Sequence, residues 1–192
     1  MAKVIYVTGA PAAGKSTTLT ALTAIVPDLF MWEYGARLTE YVKARTGAVS
    51  DQDDLRSKSA LVVTPDDIAE QDRQLLAFVE GNRGAHPILI DSHPVTKEQY
   101  GYRVTAFSGD QIQKLAPDEI WVFYVSPDET QRRIERAAGG RPMVTEEEAR
   151  LHTTLQASVA ATYGILAFAP VYLFDTSVDR DELLERLRER LV

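Results

Sequence analysis

The chain contains no cysteine, which excludes disulfides, thiolate metal centres and a cysteine nucleophile. The same absence is compatible with a reducing compartment, and a cytoplasmic setting is the expectation. No apolar run approaches the length of a membrane span. The brief apolar start, MAKVIYVTGAPAAGKS, runs directly into a glycine-bounded turn, so it reads as a first strand and not as a signal peptide. Neither proline (9) nor glycine (11) is in excess, and 45% apolar with 26% charged residues is the balance of a folding domain, not of a disordered one. Positive charge is in short supply: Lys plus Arg number 21 against 28 Asp plus Glu, a net charge of -7. That balance argues against capture of a polyanion, so no nucleic acid is expected as a partner. There is no internal repeat, linker or low-complexity segment, and one domain over residues 1–192 is expected. The oligomeric state is left open.

What the chain does have is a series of short β-branched and aromatic runs. KVIYVT at 3–8, LFMWE at 29–33, PILID at 87–91, EIWVFYV at 119–125 and VYLFD at 171–175 each read as a buried strand. The gaps between them are long enough for helices, so the alternation predicts βαβ crossovers and an α/β fold with a parallel sheet. Helix starts are legible at Thr64 with Asp67, Ser126 with Glu129 and Thr145 with Glu148, where a hydroxyl precedes a carboxylate by three residues. Pro65 and Pro127 occupy the first helical position of two of them. The C-terminal stretch DELLERLRERLV places Leu183, Leu184, Leu187 and Leu191 on one face, which reads as core packing.

Between the first strand and the first helix lies Gly9-Ala10-Pro11-Ala12-Ala13-Gly14-Lys15-Ser16, followed by Thr17, a full GxxxxGK[ST] phosphate loop in the context that motif requires. A loop of this kind wraps a polyphosphate in successive backbone N–H groups, and the helix that follows presents its positive end to the anion. ATP is the expected ligand. Lys15 is expected to reach the β- and γ-phosphates and Ser16 to hold Mg²⁺ through its hydroxyl. Asp91, at the end of the third strand, is a candidate second Mg²⁺ partner or else a turn cap. Asp175, at the end of the last strand, reads as a cap.

Arg132, Arg133, Arg136, Arg141 and Arg150 gather around Ala137 to Pro142, whose Gly139-Gly140 pair predicts a surface loop. Arg132 and Arg136 share a helix face and fit one anion together, or else the helix is laced by surface pairs with Glu129, Glu135 and Glu146. Phosphoryl transfer calls for such cations, because its transition state is stabilised mainly by position and charge.

With these pieces in order, the chain resembles the archaeal-type adenylate kinases of the nucleoside monophosphate kinase superfamily. The resemblance is carried by VTGAPAAGKST, MWEYGARLTEYVKARTG, DQDDLR, LIDSHPVTK and AATYGILAFAPVYLF, and it runs along nearly the whole chain. It implies a three-layer P-loop kinase fold with a five-stranded parallel sheet flanked by helices. It also implies an acceptor-binding insertion over roughly 34–83, a short lid over roughly 136–145, and transfer of the γ-phosphoryl group of Mg-ATP to a nucleoside monophosphate. By position it implies Arg56 as a clamp on the acceptor phosphate, Tyr34, Gly35 and His93 as pocket lining around a Tyr34-Gly35 turn, and Arg132 and Arg141 as lid or transfer arginines. The residues leave each role an alternative: surface pairing of Arg56 with Asp51, Asp53 or Asp54, a loop hydrogen bond for His93, a core aromatic for Tyr34. The chain departs from the family pattern at Ala12, where glycine is usual and a negative φ is therefore expected. It departs again at Gly101-Tyr102-Arg103-Val104, at Arg141-Pro142 and at Ala157, where an arginine is expected. These departures keep open a different small-molecule acceptor, with Asp91 or Glu33 as base, or a regulatory ATPase that phosphorylates no metabolite.

Overall fold

A computed structural model describes residues 2–98, 100–136 and 142–191, apart from the side chains of residues 56, 57 and 60. In chain order the elements are β1 (Val4–Gly9), α1 (Lys15–Ile25), β2 (Phe30–Glu33), α2 (Tyr34–Thr46), α3 (Gln52–Val62), α4 (Pro65–Asn82), β3 (Ile88–Asp91), β4 (Val95–Glu98), β5 (Gly101–Val104), α5 (Gly109–Leu115), β6 (Glu119–Tyr124), α6 (Pro127–Arg136), α7 (Glu146–Ala167), β7 (Val171–Asp175) and α8 (Arg180–Leu191).

The five expected strands form one parallel sheet in the order β2-β3-β1-β6-β7. β1 lies at its centre and all six of its residues are buried, as expected of a strand covered on both faces. Its side chains alternate between two cores. Val4 and Tyr6 join Leu75 and Val79 of α4, Ile112 and Leu115 of α5, and Ala160 and Tyr163 of α7. Ile5 and Val7 face Leu19 and Leu22 of α1 and the four leucines of α8, so the C-terminal stripe is core. Helices on both sides of a parallel sheet give the expected three-layer α/β architecture. Between β2 and β3, helices α2 and α3 and the loop joining them share a smaller cluster of Val42, Val49 and Leu55.

Local signals decide most boundaries. Thr64 and Thr145 each cap a helix in a reciprocal box with Asp67 and Glu148. Ser126 accepts from the Glu129 N–H at a longer 3.4 Å. The antiparallel hairpin of β4 and β5 was not foreseen, because each strand is only four residues long and the segment alternates polar and apolar groups weakly. Among the described residues no helix is long and apolar enough to cross a membrane.

Candidate active site

Several residues of the phosphate loop are held by groups outside it. Gly9 closes β1 beside β6, where an added Cβ would lie 2.7 Å from the Phe123 carbonyl oxygen, so only glycine fits. The Ala13 N–H bonds back to Ala10 O at 3.1 Å, and Gly14 enters α1 as its N-cap at φ 75°. Ala12 corrects the expectation set for it: its φ is +63°, in the left-handed region. Turning successive N–H groups into one concavity requires such alternation of handedness, and in a non-glycine residue it costs about 1–2 kcal/mol.

The force that holds this turn comes from Arg133 and Thr176. Arg133 Nη1 donates to Ala12 O at 3.3 Å and to Thr176 Oγ1 at 2.9 Å, while Nη2 donates to Thr176 O at 2.9 Å. The Thr176 hydroxyl in turn donates to Ala13 O at 2.7 Å, and Glu129 takes the Arg133 Nε–H at 2.9 Å. A guanidinium with a fixed fork of donors suits this task, since it spans two carbonyls and a hydroxyl at once.

Lys15 opens α1 with only 4% of its surface exposed and forms an ion pair with Asp91 at the end of β3. The parallel register sets Asp91 beside Val7 of β1 and Glu33 of β2, so these carboxylates line the C-terminal edge of the sheet where α/β ligands bind. His93 follows in the connection to β4. Its Nδ1 lies 3.2 Å from Gly9 O, and because a carbonyl only accepts, this nitrogen carries the proton. Its Nε2 lies 3.9 Å from Asp91. Ser16 and Thr17 stand exposed in the first turn of α1. The structure therefore gathers Gly9, Ala10, Ala12, Ala13, Gly14, Lys15, Asp91 and His93 around one edge.

The other expected residues are distributed differently. Tyr34 and Gly35 form no separate turn, because α2 begins at Tyr34 itself. The Tyr34 hydroxyl donates to Asp72 at 2.6 Å, and Gln111 donates to the other oxygen of the same carboxylate at 2.5 Å. Burial raises the Asp72 pKa against these two bonds, and burial together with Asp72 pushes the Tyr34 phenol up. Gly35 lies close to Gln52, whose amide nitrogen would sit 2.3 Å from an added Cβ. Arg56 falls within α3, but its side chain lies outside the described residues, and so does Arg141 altogether. Arg132 occupies the exposed face of α6 and pairs with Asp128 at 2.6 Å and Glu129 at 3.2 Å. Asp175 caps its turn by accepting from Ser177 N–H and Oγ, as expected.

It is Arg133, then, that reaches the phosphate loop. A signal for it was present: Thr130 and Ile134 mark the buried face of α6, and on a helical projection Arg133 borders that face while Arg132 points away. Thr176 and Asp72 carried no comparable signal, since their partners are distant in sequence.

Comparison with known proteins agrees with this fold. A family model described as an AAA domain matches residues 8–150. The adenylate kinase of Thermococcus onnurineus is 26% identical over 192 residues, covering 98% of this chain and 94% of its own. That of Pyrococcus abyssi is 27% identical over 197 residues, covering 100% and 96%. Among solved structures, shikimate kinase from Bacteroides thetaiotaomicron superposes with a TM-score of 0.56 at 17% identity, over 100% of this chain and 99% of that one. A tunicamycin resistance protein from Deinococcus radiodurans does so with a TM-score of 0.56 at 14% identity, over 99% and 95%. At such identities the structural likeness speaks for the fold alone.

Proposed function

The chain belongs to the AAA domain family whose model spans residues 8–150, and from that premise we propose that it is an ATP-dependent phosphotransferase moving the γ-phosphoryl group of Mg-ATP to a nucleoside monophosphate. The observation that carries this reading is the pairing of buried Lys15 with Asp91 beneath a phosphate loop held in its anion-binding turn. The acceptor class is supported by the archaeal relatives, which are named adenylate kinases.

In this reading the backbone N–H groups of Ala12, Gly14, Lys15 and Ser16, at the loop and the N-terminus of α1, bind the triphosphate. Lys15, already desolvated, exchanges Asp91 for the β- and γ-phosphates and stabilises charge on the transferring oxygens. Magnesium favours a few hard oxygen donors completed by substrate phosphates, and the Ser16 hydroxyl and Asp91 carboxylate at the sheet edge are donors of that kind. When bound, the ion would neutralise negative charge on the phosphates. Arg133 touches no phosphate in this scheme; it holds the loop's shape. Tyr34, Gly35, His93 and Arg56 are assigned to the acceptor side.

The test is incubation with γ-labelled ATP, Mg²⁺ and a panel of nucleoside monophosphates, with products resolved by chromatography. Labelled nucleoside diphosphate is the expected result. Label only in inorganic phosphate, whatever the acceptor, contradicts the proposal and leaves an ATPase.

A further inference from the structure

One face of α7 carries a polar ladder, half-exposed at Glu148 and buried at His152 and Gln156, that the phosphate loop, Lys15 and the arginines leave unused. Glu148, His152 and Gln156 recur every four residues and so point the same way. Each of the three grips the β4-β5 hairpin: Tyr102 Oη donates to Glu148 O at 2.9 Å, His152 Nε2 lies 3.1 Å from Val95 O, and Gln156 Nε2 donates to Val95 O at 3.1 Å. The Val95 carbonyl thus takes two N–H donors, one for each lone pair, which fixes His152 with its proton on Nε2. The ring of His152 also packs edge-on against Tyr102 at 5.1 Å between centroids.

Gln156 differs from its two neighbours because its other end leaves the hairpin. Its Oε1 accepts from the Thr8 hydroxyl at 2.9 Å. Thr8 directly precedes Gly9, the first residue of the phosphate loop, and both Thr8 and Gln156 are 0% exposed. One amide therefore joins the exit of β1 to the start of β4. Between those points run Asp91, paired with Lys15, and His93, bonded to Gly9 O. The front of this connection is pinned by Ser92 N–H to Val7 O at 3.1 Å, and its far end by Thr105 N–H to Pro94 O at 2.7 Å and by the two bonds to Val95 O. Buried amides with both ends satisfied specify a single spacing, since any shift strands one polar group away from water.

We propose that Gln156 is a positioning residue, bridging the Thr8 hydroxyl and the Val95 carbonyl so that the Asp91–His93 segment is held at working distance from Lys15 and the phosphate loop. Its consequence for turnover rests on the phosphotransfer reading above; its consequence for His93 does not. Gln156 acts through Asp91 and His93 and touches no substrate. A small displacement of such groups is enough to matter, because a shift of about 1 Å at a reacting centre can cost on the order of 100-fold in rate.

Two variants test this. Gln156→Met removes both polar ends at similar length, and Thr8→Val removes only the hydroxyl while leaving the bond to Val95. The chain has 3 histidines, so long-range proton–nitrogen NMR of the imidazoles is simple to read. Both variants are expected to shift the His93 signals while those of His86 stay fixed. At a temperature where circular dichroism shows full folding, kcat is expected to fall about 10- to 100-fold with KM for Mg-ATP changed less than about threefold. The double variant is expected to lose no more than the worse single one, as members of one unit do. Thr8→Ser, which keeps the hydroxyl, is expected to retain the wild-type values. A ladder that serves stability alone predicts a lowered unfolding midpoint, unmoved His93 signals and unchanged kcat in the folded protein. Unmoved His93 signals, or kcat within about twofold of wild type, overturn the proposal. Should Gln156→Met fail to fold, Thr8→Val decides by the same readings. Should the wild-type protein transfer no phosphate, the proposed reaction fails, and the spectra still decide whether Gln156 sets His93.

Discussion

Replacing Ala12 with glycine is expected to stabilise the protein. Ala12 has φ +63°, and a non-glycine residue in that region carries about 1–2 kcal/mol of steric cost that glycine does not. Against this, glycine gives the unfolded chain more freedom, worth about 0.4–1 kcal/mol in the opposite direction. The difference leaves a net gain centred near about 1 kcal/mol. For a chain of this length each kcal/mol moves the unfolding midpoint by about 2–4 °C, so a rise of about 1–4 °C is expected by calorimetry or circular dichroism. Gly14→Ala provides the opposite sign at a neighbouring site. Its φ is also positive, at 75°, and the new Cβ would meet Arg133 Nη1 at 2.8 Å and Thr176 Oγ1 at 2.9 Å. A lowered midpoint for Ala12→Gly would refute the reasoning, because it would mean that the loop in solution keeps Ala12 on the ordinary side of φ and that the Arg133 clamp does not hold it.

Four further outcomes are expected. Lys15→Met should lower the transfer rate by at least about 1,000-fold, since it removes the positive charge nearest the transferring group; steady-state assays with labelled ATP check it. Arg133→Met should weaken Mg-ATP binding about 10- to 100-fold by releasing Ala12, Ala13 and Thr176, given about 1.5–3 kcal/mol for hydrogen bonds from a charged donor. Arg132→Met, which breaks only exposed pairs, should change folding stability by less than about 1 kcal/mol in urea titrations. Burial depresses the pKa of His152 below its ordinary 6.5, so the unfolded chain takes up this proton at a higher pH than the folded one. Stability should therefore fall as pH drops from about 7 through that value, and urea titrations of His152→Asn should show a flatter slope between about pH 7 and 5. Asp72, raised by burial, acts in the opposite sense and nearer the carboxylate range, so the difference between the two proteins isolates the histidine.

The sheet was readable because each strand is a compact run of β-branched or aromatic residues with a glycine or acidic residue at one end. Thr64 and Thr145 announced their helices because a cap is a local contact three residues long. The phosphate loop was readable for the same reason: its chemistry constrains consecutive residues. What escaped is what depends on distant partners. The handedness of Ala12 is decided by Arg133 and Thr176, both more than a hundred positions away along the chain. Choosing Arg133 over Arg132 required knowing which face of α6 meets the loop. The family resemblance implied a turn at Tyr34-Gly35, yet α2 absorbs both residues, and the Tyr34 hydroxyl finds Asp72 of α4. The ladder of His152 and Gln156 looks, in sequence, like two polar residues on an ordinary helix. The hairpin beside it, and Thr8 of β1 for Gln156, give them a task.

Titration calorimetry with Mg-ATP tests most directly whether the ring of backbone amides from Gly9 to Ser16 grips a triphosphate. Saturable binding of one nucleotide per chain, lost or strongly weakened in Arg133→Met while that variant stays folded, is the predicted result. No measurable heat from any nucleoside triphosphate, with the protein folded and magnesium present, would contradict the account at its root.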